Sequence, residues 1–140
     1  MRPAEMTWTG LRWLYALFFF TTGLAIAVHV LLGVGGPPRA PTAAAQAFHD
    51  ALGQTRFMDA LVGASYLAGG GALLLRRTTP LGLVLLAPAA TVILFDNVLL
   101  AGTAPVGLAT AAVWGLLAWR FRSAFQGLWT YGAPGPAAGA

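Results

Sequence analysis

The sequence predicts an all-α integral membrane protein, a bundle of four transmembrane helices with both termini in the cytoplasm and a short amphipathic helix in the first outer loop. Three observations predict it. Of 140 residues, 58% are hydrophobic and only 9% are charged, and the mean hydropathy is +0.73. A soluble domain of this size leaves roughly a third of its unfolded-chain surface in water and needs polar groups to cover it. Four apolar runs approach the ~20 residues that a helix needs to cross a bilayer. The arginines gather on one side of those runs, as the positive-inside rule requires of a cytoplasmic face.

The first run spans about residues 13–34 and ends at Gly35-Gly36-Pro37-Pro38. It is too long for the ~7–15-residue apolar region of a signal peptide and is expected to be a retained helix. In the connection that follows, Ala47, Phe48, Ala51 and Leu52 recur at helical spacing, which predicts a short amphipathic helix lying on the mouth of the bundle. The second run, about 57–75, stops at Arg76-Arg77. Thr78-Thr79-Pro80 then predicts a tight turn, with Thr as a helix cap and Pro in the first turn of the third run, about 81–101. Gly102-Thr103-Ala104-Pro105 repeats the device before the fourth run, about 106–121. Residues 1–126 thus form one transmembrane domain, and the Gly- and Pro-rich segment 127–140 is expected to be a flexible tail.

Orientation comes from the eight basic residues, all of them Arg. Arg2, Arg12, Arg76, Arg77, Arg120 and Arg122 fall on one side of a four-span topology, and Arg39 and Arg56 on the other. Trp8, Trp13, Tyr15, Trp119 and Trp129 cluster at the same arginine-rich face, where an aromatic belt belongs. Scattered singly or in pairs, the arginines form no basic block, so the net charge of +4 points to topology and not to nucleic acid. The chain has no cysteine, which excludes disulfides, thiolate metal sites and a dithiol relay.

Depth then brings the polar residues together. His29 lies ~24 Å along its helix from Trp13, and Asp96 ~22 Å from Leu81, so both reach the same outer level. Asp59, Arg56 and Asn97 lie within a turn of it, and together they predict a polar pocket at the outer mouth. An ionisable group in a spanning helix costs roughly 2.5–3.5 kcal/mol on insertion scales, so Asp96 should face inward and take a partner, with His29 and Arg56 the natural candidates. Such a pair could relay protons or hold a polar head group; it could equally cap contacts between helices and loop. Gly63, Gly69, Gly70 and Gly71, with Ala60, Ala64 and Ala68, give the second helix a small-residue face that admits another helix closely. Tyr66 lies among those glycines, deep enough for its hydroxyl to need an acceptor. A haem would need His49 beside His29, and His49 sits on the loop helix, outside the predicted spans. Two His and four acidic residues at these spacings make no metal site.

The hairpin carries a family resemblance. Leu61-Val62-Gly63, Gly69-Gly70, Leu73-Leu74-Leu75, Pro80-Leu81-Gly82, Leu86-Ala87-Pro88 and Ile93-Leu94-Phe95, with Leu17-Phe18-Phe19, Gly23-Leu24 and Ala47-Phe48 outside it, resemble the DoxX-like family of small bacterial four-helix membrane proteins. The resemblance runs from about Leu11 to Phe125 on apolar motifs. It implies a bacterial inner-membrane protein that acts as an accessory or quinone-interacting subunit of a membrane redox system, the name-giving case being a thiosulfate:quinone oxidoreductase subunit. A quinone is the cofactor so implied, and a membrane-protein partner or a second copy is the implied company in the bilayer. Ile26, Tyr66, Val92 and Asn97 stand where that family often carries polar residues, so His29 and Asp96 would rebuild its polar centre one turn nearer the outside. Two other expectations remain: a non-enzymatic scaffold whose small-residue faces dock other membrane proteins, and movement of protons or small solutes.

Overall fold

A computed structural model describes residues 3–55 and 57–126. Five α-helices follow one another: α1 Pro3–Leu32, α2 Ala43–Gln54, α3 Phe57–Leu74, α4 Thr79–Phe95 and α5 Ala104–Arg120. A π-helical turn, Asp96–Leu100, continues α4, and a 3-10 turn, Arg122–Phe125, follows α5. No strand occurs among the described residues. Three helical stretches, Glu5–Leu32, Phe57–Leu74 and Thr79–Leu100, are long and apolar enough to cross a membrane. Large apolar side chains such as Leu14 and Leu31 are 69% and 79% exposed, surface that water would not tolerate in such quantity and that lipid covers. The protein is a helical membrane protein.

Helix α1 begins ten residues before the first apolar run, because its polar N-terminal part is held by tertiary contacts. Arg12 is buried and donates to Thr79 Oγ1 at 3.3 Å, and Trp8 packs against the core. At the other end Gly33 adopts φ 65° and its N–H closes on His29 O at 2.9 Å, the left-handed cap that stops the helix.

Helix α3 is the packing centre. Its glycines receive α1 on one side and α4 on the other, antiparallel in both cases, whereas Ala60, Ala64 and Ala68 of the predicted small-residue face are exposed. Ile26 lies over Gly63, Gly23 against Tyr66 and Leu67, and Ala16 and Phe20 against Gly70. On the second side Leu86 fills the space left by Gly69, and Gly82 meets the backbone of Gly69 and Leu73. Helix α5 then approaches α4 through Gly107, which faces Ile93, Leu94 and Asn97. A buried cluster draws on all four long helices: Tyr15, Ala16 and Phe19 from α1, Leu73 from α3, Leu83 and Leu86 from α4, and Leu117 from α5. Rings stack edge-on through it, Tyr15 to Phe19 at 4.9 Å and Phe19 to Tyr66 at 5.0 Å. Two polar groups in this dry setting find acceptors on neighbouring helices: Tyr15 donates to Thr110 O at 3.2 Å and the Trp114 indole to Leu83 O at 2.9 Å.

Both Thr-Pro turns occur where expected but their hydroxyls act differently from the predicted caps. Thr78 Oγ1 donates to Ala72 O at 2.7 Å, and Thr103 Oγ1 to Asn97 Oδ1 at 2.6 Å. Neither caps the helix that follows. With Pro80 and Pro105 supplying first-turn positions that lack an N–H, each helix start has one donor fewer to satisfy, and the hydroxyl is free to tie down the helix before it.

Candidate functional site

Of the predicted pocket, His29, Asp59, Asp96 and Asn97 lie at one end of the molecule, and the packing register shows why. Ile26 sits over Gly63, so His29, one turn further along α1, reaches the level of about Ala60 on the antiparallel α3. Leu86 sits over Gly69, which puts Asp96, ten residues further along α4, at about Asp59. His29, Asp59 and Asp96 therefore share one level, as the sequence depth estimate expects.

The partner of Asp96 is His49 and not His29: His49 Nε2 lies 3.3 Å from Asp96 Oδ2. Helix α2 makes this possible by docking on the end of α4. Thr42 caps α2 by accepting from Ala45 N at 3.1 Å and donates to Leu100 O at 2.6 Å, while Ala45 is fully buried. His49 stands four residues after Ala45, one turn along the same face, and so meets Asp96. That face differs from the predicted one: Ala47 and Ala51 are exposed, and Phe48 and Leu52 are half-buried. When protonated, His49 forms an ion pair with Asp96; when neutral, its Nε2–H tautomer still donates to the carboxylate.

Asp96 opens the π-helical turn, in which Ala101 N donates to Asp96 O at 2.8 Å, five residues back. Such a turn inserts a residue into the α-helical ladder and recurs at functional sites. Its last residue, Leu100, has a free carbonyl that accepts from the Thr42 hydroxyl. Among the described residues, Asp96 Oδ1 and His29 Nδ1 at this end are buried without a hydrogen-bond partner. The ring of His29 is flanked by Gly36, where the chain turns back after Gly33 and Gly35.

The other predicted site residues are differently engaged. Asn97 is committed to structure, its amide donating to Ile93 O at 2.8 Å and its Oδ1 accepting from Thr103. Asp59 occupies the first turn of α3, where the helix dipole favours a carboxylate, and lies near Gly53. Tyr66 is half-buried and packs edge-on against Phe19; among the described residues its hydroxyl takes no hydrogen-bond partner. It faces the core and not the His49–Asp96 pair. Arg56, the expected tail 127–140 and Trp129 lie outside the described residues.

Sequence reasoning missed His49 as the partner of Asp96. The available signal was its i+4 spacing from Ala45 on a helix whose N-cap, Thr42, was readable. Comparison with protein-family models, with characterised proteins and with solved structures gave no match. Function is therefore read from the site itself.

Proposed function

We propose that this chain is a four-span protein of a bacterial inner membrane, with both termini cytoplasmic, serving as an accessory or quinone-interacting subunit of a membrane redox system. The fourth span would be α5: its 17 residues reach about 25 Å, and the 3-10 turn after it extends the segment toward the ~30 Å of a hydrocarbon core. The observation that carries the functional reading is unspent hydrogen-bonding capacity at membrane depth. Among the described residues, Asp96 Oδ1 and His29 Nδ1 are buried and unpartnered at one level of the molecule, beside the His49–Asp96 pair. Buried polar atoms in an apolar setting are costly unless something satisfies them. A quinone fits that donor set: a His29 N–H can donate to a quinone carbonyl, and the Asp96 carboxylate can accept from a quinol hydroxyl. Bound there, the quinone would supply the redox chemistry, and the chain would position its head group and handle its proton.

Two other roles are less well supported. For a scaffold, the glycines of α3 are taken up by α1 and α4, which leaves Ala60, Ala64 and Ala68, all exposed, as the small residues available to dock other proteins. Between the His49–Asp96 pair and Arg12 lies the apolar cluster of Phe19, Leu73, Leu83, Leu86 and Leu117, which offers no polar path for a proton or solute.

The test is mass spectrometry of lipophilic molecules that co-purify in mild detergent with the wild-type chain and with Asp96→Ala. A stoichiometric quinone, lost in the variant, is the expected result. Equal and non-specific lipid in both preparations would move the assignment to a scaffold.

A further inference from the structure

At the opposite end of the molecule, we infer that the cleft between the start of α1 and the end of α5 is a binding site for a phosphate-type oxyanion. It has a volume of about 60 Å³, and Glu5, Trp8, Arg12, Arg76, Arg120 and Phe121 are among the residues that line it. That is room for a few waters or one small oxyanion.

Arg12 makes the cleft more than a collection of surface charges. It is only 8% exposed. A guanidinium carries five N–H donors, yet among the described residues Arg12 makes one hydrogen bond, to Thr79 Oγ1 at 3.3 Å. That hydroxyl is itself committed, donating to Leu75 O at 3.0 Å. Arg12 lines the cleft together with Arg76 and Arg120, with Glu5 the sole acid on its wall among the described residues. Burying one cation next to others is unfavourable unless an anion neutralises them. An oxyanion that offers several acceptors in a tetrahedral array suits converging guanidinium forks better than a single carboxylate, which Glu5 already supplies. Trp8 and Phe121 give the cleft an apolar wall, suited to the glycerol and first methylenes behind a lipid phosphate. The same chemistry also describes a free phosphate, and the experiment below separates the two.

The full-length protein, purified in a mild non-ionic detergent, is titrated with phosphatidylglycerol, phosphatidylcholine or inorganic phosphate, with binding followed by native mass spectrometry and by melting temperature. Wild-type protein is expected to prefer phosphatidylglycerol over phosphatidylcholine. Arg120→Gln, an exposed position that folds whatever becomes of Arg12, is expected to weaken that binding about 10-fold, and Arg12→Gln to weaken it at least as much. Arg77→Gln, an exposed arginine outside the cleft, is expected to leave it unchanged. Competition by millimolar inorganic phosphate assigns the site to free phosphate; none assigns it to the lipid. Binding that is insensitive to Arg120→Gln, falls equally with Arg77→Gln, or is absent for both phosphatidylglycerol and phosphate overturns the inference. The outcome is independent of any quinone at the His49 end.

Discussion

Gly70→Val is expected to separate α1 from α3 and to abolish a monodisperse, folded preparation. A Cβ at Gly70 would lie 2.6 Å from Phe20 N and 3.0 Å from Ala16 O. Both are backbone atoms, which cannot rotate aside as a side chain could. Overpacking a core costs about 1–3 kcal/mol when side chains can adjust, and this contact offers no such relief, so the loss should reach about 3 kcal/mol or more. Against a total stability of about 5–15 kcal/mol, that is a fall in melting temperature of about 10 °C at the least. Gly115→Ala is the contrasting case, with nothing within 4 Å of its added Cβ. It should be neutral or stabilising by up to about 1 kcal/mol, the difference in helix propensity between the two residues. Thermal melts of both variants by circular dichroism in detergent check the contrast. Equal behaviour of the two would mean that close approach at Gly70 does not hold the helices together.

Asp96→Leu is expected to leave stability unchanged or raise it by about 1 kcal/mol while weakening ligand binding at least about 10-fold. Among the described residues the carboxylate keeps one oxygen buried without a partner, and its other contact, to a His49 side chain that is 38% exposed, is 3.3 Å long. A pair so placed contributes no more than about 1 kcal/mol. Leucine removes an unsatisfied polar group from a setting that penalises it. His49→Ala acts in the opposite direction: it leaves the carboxylate with no partner at all, and should lower stability by about 1 kcal/mol. Melting curves paired with titration of a short-tailed benzoquinone separate the two effects. If Asp96→Leu is the less stable variant and binds the probe as well as wild type, Asp96 is a structural residue and the proposed site fails.

Much of this fold was legible in residues that punctuate the chain. Gly35 to Pro38, Arg76-Arg77 with Pro80, and Gly102 to Pro105 mark helix ends through local chemistry, so each predicted run corresponds to a helix. The start of α1 was not legible, because Arg12 and Trp8 are held in the helix by Thr79 and by the core, contacts that lie far away in sequence. The glycines of α3 were readable as a packing surface; that they would serve two helices at once, and that Ala60, Ala64 and Ala68 would stay exposed, was not. At the site, helix rise alone put His29 and Asp96 at one level. The choice between His29 and His49 as partner depended on the docking of α2, which the spacing of Ala45 and His49 hints at without fixing, and on the π-helical turn at Asp96, which has no local sequence signature. The Arg12 cleft was hidden for a related reason. Its arginines look like ordinary markers of a cytoplasmic face until the fold buries one of them.

Whether the chain crosses the membrane four times, with its polar pair outside and its arginine cleft inside, is what the account depends on. The chain has no cysteine, so one introduced thiol reports one position. Glu5→Cys, Asp50→Cys and Ser123→Cys, each at an exposed position, would be labelled in intact cells by a maleimide that cannot cross the inner membrane. The account predicts that Asp50→Cys is labelled directly and that Glu5→Cys and Ser123→Cys are labelled only after the membrane is opened. Labelling of Ser123→Cys in intact cells alongside Asp50→Cys would show a three-span chain and contradict it.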